Sequence, residues 1–324
     1  MSKLVTIYGG SGFVGRHVAR RMAQAGWRVR VAVRRPNEAI FVRPFGVPGQ
    51  VEPILCNIRD ERSVRAAMAG ADAVINCVGL MNEGGRNRFG AVHVEGAERV
   101  ARLAAETGVA HLVHVSALGA DASSDSVYSV TKARGEAAVL AAFPAAMILR
   151  PSVVFGIEDQ FFNRLAAQVR ATLIVPVVSQ GTRFQPVHVE DVAEAAELGA
   201  SGQAAPGIYE LGGPDVITMR EAVEKTLAVT LRRRALLPLA RGLVAPLAAG
   251  LDLAQKLTGG LFTNSVITRD QLRLLGHDNV VSPGARGLAD LGVKPTSIDS
   301  VLPEYLWRFR ETGQYAAIKA SARV

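Results

Sequence analysis

The sequence predicts a doubly wound parallel α/β fold with a smaller C-terminal α/β lobe. Three features carry that expectation. Short apolar runs alternate with helical patterns through the first half, the order that parallel strands with right-handed crossovers require. A glycine turn, GGSGFVG from Gly9 to Gly15, directly follows the first apolar run. The chain has 324 residues, 49% of them hydrophobic, enough for one large α/β domain or two modest ones.

LVTIY, Leu4 to Tyr8, is the first strand, an unbroken apolar run ended by glycine. Val14, Val18, Arg21 and Met22 show helical spacing and predict a helix from about Gly12 to Ala25, broken at AGW. RVRVAV, VEPIL, ADAVINCV and HLVHVS follow as strands two to five, and AAMILRP as strand six. ERSVRAAMAG, VEGAERVARLAAETG and VTKARGEAAVLAAF are the helices between them. From about Arg150 the alternation becomes irregular. FNRLAAQVRA, VEDVAEAAELGA and ITMREAVEKTLAV read as helices, and LIVPVVS, FQPVHV and GIYELGG as short strands. This divides the chain into a first domain, residues 1–150, and a smaller lobe, 151–324, interwoven with it. No internal repeat or low-complexity tract interrupts either.

The segment Leu231 to Phe262 stands apart. It begins with Arg232, Arg233 and Arg234 and continues with ten uncharged residues, Gly242 to Leu251. Pro238, Arg241, Pro246 and Asp252 make it too broken for a bilayer span. Basic residues beside an apolar amphipathic stretch suit an interfacial helix or a partner-binding face; a helix packed on the lobe's own core is the plainer alternative.

Formal charge is +8, from 37 basic and 29 acidic residues, most of the basic ones arginine. Such a balance suits phosphates or an anionic surface. The basic residues are scattered and not interleaved with aromatics, which argues against nucleic acid. Cys56 and Cys77 lie in apolar context and make neither a zinc pattern nor a disulfide framework; both are expected as reduced core residues. No metal site is expected. The first strand begins so early that no signal peptide or presequence is expected.

The glycine turn has a phosphate logic. Gly9 permits the tight turn, Gly12 leaves room for a pyrophosphate, and Gly15 lets the helix approach the sheet. The helix N-terminus then presents N–H groups and a positive dipole end. A dinucleotide is therefore the expected ligand. Strand two ends AVRRP, with Arg34 and Arg35 where an NAD site would place an acid. A bidentate guanidinium suits a 2′-phosphate, so the expected cofactor is NADPH.

Tyr128 and Lys132 form YxxxK, on one face of a helix. An ammonium near the phenol would lower its pKa and fit it for acid–base work. His188, in QPVHVEDV, is a weaker candidate base.

The spacing GxxGxxG after the first strand resembles the extended and atypical branches of the short-chain dehydrogenase/reductase superfamily, over residues 3–156 at least. That resemblance implies Ile58 and Asp60, in CNIRD, near the adenine, and Val78 and Gly79, in CVGL, near the ribose. It extends the cofactor-binding set to Ser11, Phe13, Val14, Ser116, Tyr128, Lys132 and Pro151, and makes Tyr128 and Lys132 a reductase engine. Two positions depart from it. Leu118 stands where a catalytic hydroxyl is expected, with Ser123, Ser124 and Ser126 as alternatives, and His93 stands where Asn is usual.

FPAAMILRPSVVFGIEDQFFNRLA, TRFQPVHVEDVAEA, ITRDQLRLL, ADLGVKPTSID and YLWRFRETGQY carry a closer resemblance. They resemble the NAD(P)H-binding accessory subunit of respiratory complex I, the alpha-subcomplex subunit nine family. This implies a structural NADPH without independent catalysis and partner subunits at the junction of the peripheral and membrane arms, near the quinone site. It implies a peripheral position on the matrix face, or on the cytoplasmic face of a bacterial inner membrane, with the membrane surface met through 231–262. The alternatives are a free NADPH-dependent reductase or epimerase and, on fold analogy alone, a non-catalytic redox sensor.

Overall fold

The computed structural model describes residues 2–85, 87–258, 268–311 and 313. Its first half runs β1 (Leu4–Tyr8), α1 (Phe13–Gln24), β2 (Arg28–Val33), β3 (Val51–Leu55), α2 (Glu61–Met68), β4 (Ala73–Asn76), α3 (Glu95–Glu106), β5 (His111–Val115), α4 (Val127–Ala142) and β6 (Met147–Pro151). There follow β7 (Val154–Phe155), α5 (Phe162–Ala171), β8 (Ile174–Val178), β9 (Arg183–Phe184), β10 (Val187–His188), α6 (Val189–Ala200), β11 (Gly207–Leu211), β12 (Ile217–Thr218) and α7 (Met219–Thr230). The described chain ends with β13 (Ala235–Leu239), α8 (Arg241–Leu257), α9 (Arg269–Leu274) and α10 (Ile298–Leu306). A 3₁₀ segment, Pro36–Phe45, fills the β2–β3 connection, and one π-turn, Gly90–Val94, leads into α3.

The chain forms two units. The first comprises Met1–Pro151, Val189–Leu211 and Val281–Lys294; the second comprises the remainder. The first unit holds a seven-stranded sheet in the order β11-β6-β5-β4-β1-β2-β3. Every described pairing in it is parallel. Ile7, Val31, Ile75 and Leu149 are fully buried, each contributing roughly 1.5–3 kcal/mol of transfer energy. On one face α2, α3 and α4 bury Val64, Met68, Val100, Leu103 and Val139 with Leu112 and Ile148. On α1, Arg21 pairs with Glu194 and Glu197 of α6 at 3.1 and 2.7 Å. Strand order reverses between β1 and β4, which places the binding crevice of such a sheet at their C-terminal ends.

The six expected strands form, and the structure adds a seventh to the same sheet. GIYEL, read as part of the lobe, is β11 and pairs with β6 from Gly207↔Met147 to Leu211↔Pro151. The division at residues 150/151 therefore marks only the first crossing. The chain returns at Val189, because α6 is apolar on a broad face: Val192, Ala193, Ala195 and Ala196 are fully buried.

In the second unit, Phe155, Phe162, Ile217, Ile298, Leu302 and Leu306 form one cluster, and Val169, Val175, Val177, Phe184 and Val223 another. The basic-apolar segment divides. Its first part is β13, which runs parallel to β8 from Ala235↔Ile174 to Leu239↔Val178. Pro176 and Pro238 are tolerated because this ribbon has only two strands and each proline can face an open edge. Its second part is α8, with Leu243, Leu247 and Leu253 more than half exposed. Residues 259–262 of the segment lie outside the described residues, as do Ile267, Thr312, Gln314 and Tyr315 of the C-terminal motifs. No described helix is long and apolar enough to cross a membrane.

Candidate dinucleotide site

The glycine turn sits at the switch point. Gly9 has φ +73°, a left-handed conformation that favours glycine, and its N–H donates to the Ala32 carbonyl at 3.0 Å. A Cβ there would lie 3.1 Å from Val78 Cγ2 and 3.2 Å from the Cys77 carbonyl, so the turn lies against the segment after β4. Gly15 is buried; a Cβ would be driven into the Gly9 carbonyl and the Gly10 Cα, all backbone. Gly12 differs. It is exposed, and its Cβ would meet only the Gly9 oxygen, at 3.2 Å. It N-caps α1 with no side-chain bond, and the first helical turn contains no acid. Ser11, Phe13 and Val14 are half-buried around it.

Arg34 and Arg35 leave the end of β2 exposed. Arg35 Nη1 donates to Glu38 Oε1 at 2.9 Å. Ile58 is buried in the α2–α3 layer. Asp60 is the N-cap of α2, where its side chain accepts from Arg62 N at 3.1 Å. Pro151 ends β6, and its carbonyl accepts from Leu118 N at 2.9 Å.

Beyond β4 and β5 lies a buried polar group. Asn76 Nδ2 and His114 Nδ1 are 3.1 Å apart; Asn76 Oδ1 accepts from Val78 N at 3.1 Å. Lys132 is buried, its ammonium donating to the Val115 carbonyl at 3.1 Å and standing 3.8 Å from where a Gly79 Cβ would be. Burial pushes that amine down to about 8. His114 Nε2 and Ser116 Oγ, both on this strand end, are buried without a hydrogen-bond partner.

Tyr128 and Lys132 both lie on α4, four residues apart. The shared helix face is real, but the ammonium turns to Val115. Burial pushes the Tyr128 phenol up to about 12. Phe89 and His93 pack edge-on against the Tyr128 ring, at 5.9 and 5.5 Å between centroids. The candidate hydroxyls are also engaged elsewhere. Ser126 caps α4, Ser124 Oγ accepts from Ser126 N at 3.2 Å, and Ser123 Oγ donates to Asp121 at 2.7 Å. Leu118 is buried. His188 lies in the second unit with its ring 5.3 Å from that of Phe155.

His93 has a definite task. Its Nε2 accepts from Leu80 N at 3.0 Å, so the proton sits on Nδ1, 3.1 Å from Thr131 Oγ1. The imidazole pins the loop after β4 to α4. Gly135 admits it: a Cβ there would strike the His93 carbonyl. Two features of this region are invisible in the sequence, the Asn76–His114 pair and the Phe89–His93–Tyr128 cluster.

Burial, and then the Lys132 charge, pushes both His93 and His114 down to about 3. A folded-state value below the unfolded one, about 6.5, gives stability that is complete above pH 6.5 and lost as pH falls toward 3. Lowering pH from 7.5 to 5 is expected to remove about 2 kcal/mol per histidine. Urea unfolding at both pH values checks this; His93→Gln is expected to flatten the dependence by about half.

These residues fit a dinucleotide. The turn leaves the Gly12 cradle open, the capless helix end favours an anion, and Ser116 Oγ is an orphan beside Lys132. Fold and turn together define a dinucleotide-binding protein of the extended short-chain dehydrogenase/reductase class. Residues 5–212 match the NAD dependent epimerase/dehydratase family. A dTDP-glucose 4,6-dehydratase from Bacillus anthracis, solved in complex with NAD, superposes with a TM-score of 0.71 over 97% of this chain and 98% of that one, at 14% identity. The mitochondrial NADH dehydrogenase (ubiquinone) 1 alpha subcomplex subunit 9 of Arabidopsis thaliana is 34% identical over 316 residues, 96% of this chain and 79% of the relative. A ceramide reductase of Caulobacter vibrioides is 37% identical over 190 residues, 59% of this chain and 58% of the relative. The chain belongs to the NAD dependent epimerase/dehydratase family and, within it, to the alpha subcomplex subunit 9 branch.

Proposed function

We propose that the protein is an accessory subunit of NADH:quinone oxidoreductase that holds NADPH as a structural part. The observation that carries this is the likeness to the mitochondrial subunit along nearly the whole chain, the second unit included. The buried Leu118, where a catalytic hydroxyl is expected, and the Lys132 ammonium held by the Val115 carbonyl support a site that holds more than it turns over. Gly9, Gly12 and Gly15 would cradle the pyrophosphate with Ser11, Phe13 and Val14 about it. Arg34, at the end of β2, would meet the 2′-phosphate, Ile58 and Asp60 the adenine end, and Val78, Gly79, Ser116, Lys132, Tyr128 and Pro151 the nicotinamide end. When bound, the cofactor supplies a hydride that can be given or received.

The partners are other subunits of the complex at the junction of its arms. The setting is the cytoplasmic face of a bacterial inner membrane, or the equivalent matrix face. Membrane contact falls to part of the 231–262 segment. Arg232 donates to the Phe309 carbonyl and Arg234 to the Val169 carbonyl, so both brace the second unit itself. Arg233 is the exposed member of the three, and Leu243, Leu247 and Leu253 of α8 supply the apolar part.

Native purification from membranes tests the assignment. The protein is expected to co-migrate with NADH:quinone oxidoreductase activity and to release NADP(H) on denaturation. A free protein lacking nucleotide would sink it. The likeness to a ceramide reductase favours a second reading, an NADPH-dependent reductase. On that reading Tyr128→Phe abolishes turnover of a carbonyl substrate while leaving nucleotide content intact.

A further inference from the structure

The geometry points to Arg16, and not Arg35, as the guanidinium that joins Arg34 in selecting a 2′-phosphorylated dinucleotide; this rests on the nucleotide reading above. Arg16 lies in the first turn of α1. Its Nη2 donates to the Ser11 carbonyl at 3.1 Å and its Nε to the Gly12 carbonyl at 3.3 Å. The guanidinium carbon sits 4.7 Å above the Phe41 ring. Phe41 belongs to the 3₁₀ segment Pro36–Phe45, which continues directly from Arg34 and Arg35. Arg16 therefore bridges the phosphate turn and the segment that follows the strand-two arginines. Those two places are neighbours, since Gly9 N donates to Ala32 O at 3.0 Å.

Left to itself, this is a poor way to begin a helix. A cation in the first turn opposes the macrodipole, that turn contains no acid, and Gly12 supplies no side-chain cap. Three unfavourable local choices at one helix end are reconciled by a bound anion. The half-buried, ring-stacked guanidinium is also pre-organised, so it loses little freedom on binding. Arg35 is the weaker partner. It is exposed and its charge is already met by Glu38 at 2.9 Å.

The test measures dissociation constants for NADPH and NADH on the nucleotide-stripped full chain, with the nucleotide released from each freshly purified variant as a second readout. Arg16→Gln retains an N–H for the Ser11 carbonyl and removes the charge. It is expected to weaken NADPH by about ten- to a hundredfold and NADH by less than about twofold. Phe41→Leu, which leaves Arg16 unseated, is expected to give a smaller loss confined to NADPH. Arg35→Ala is expected to change either affinity by less than about threefold. An equal loss of both nucleotides in Arg16→Gln would make Arg16 a buttress of the turn and overturn the inference. So would an unchanged NADPH preference, or a larger selective loss in Arg35→Ala. A wild-type chain that binds NADH as tightly as NADPH overturns the NADPH reading and this inference with it, before any substitution is made.

Discussion

Arg150→Met is expected to destabilise the protein by about 3–5 kcal/mol, the effect of leaving buried carboxylates without their cation. Arg150 Nε lies 3.1 Å from both oxygens of Glu136, and Nη2 lies 2.6 Å from Oε2. Nη1 reaches Glu210 Oε1 at 3.5 Å. The Glu136 side chain is 4% exposed and that of Glu210 11%, against 22% for Arg150. Glu210 also accepts from Ser282 N at 2.8 Å. One guanidinium thus links α4, β6, β11 and the returning segment Val281–Lys294. Equilibrium urea unfolding measures the loss, and a value under about 1 kcal/mol would mean that water reaches the group and screens it. Replacing all three side chains by apolar ones of similar size is expected to recover part of the loss, because desolvation of the charges is relieved together. Recovery stays incomplete, since Ser282 N then lacks its acceptor.

Two strands that this network joins were not equally legible: both could be read as strands, but the sheet that receives the seventh could not. AAMILRP is an apolar run after a long helix, and nothing but a strand suits it. GIYEL is as good a strand by pattern, but pattern carries no information on which sheet receives it. It comes after an excursion through the second unit, and only its register with β6 assigns it. The candidate site divides the same way. Gly9, Gly12 and Gly15 could be read because their roles follow from backbone conformation and size, which are local properties. Helical spacing put Tyr128 and Lys132 on one face, yet the amine's partner is a carbonyl of β5, a matter of tertiary packing. His93 was visible as an oddity. Its role needed the Leu80 N–H and Thr131 beside it, one from a loop and one from α4. The basic run behaved similarly: three adjacent arginines have equal charge, but the fold uses Arg232 and Arg234 internally and leaves Arg233 outside.

The glycines of the turn can be separated by experiment. Gly15→Ala is expected to cost about 3 kcal/mol and to abolish nucleotide binding. Its Cβ meets the Gly9 carbonyl, the Gly10 Cα and the Gly9 carbonyl carbon, none of which can swing aside as a side chain would. Relief requires α1 to withdraw from β1, and the turn opens with it. The helix propensity gained by alanine offsets this by only about 1 kcal/mol. Gly12→Ala should behave differently. Its backbone is extended, φ −68° and ψ 176°, which alanine adopts without strain, and its one neighbour within 4 Å is the Gly9 oxygen at 3.2 Å. Folding stability without nucleotide is expected to change by less than about 1 kcal/mol. Nucleotide affinity is expected to fall at least about tenfold, because the methyl group occupies the space a pyrophosphate needs. Thermal unfolding of the stripped proteins, together with the nucleotide recovered from each preparation, distinguishes the two. A Gly12→Ala chain that keeps full nucleotide content would show that Gly12 serves the turn alone, and the phosphates would have to lie elsewhere along the α1 N-terminus.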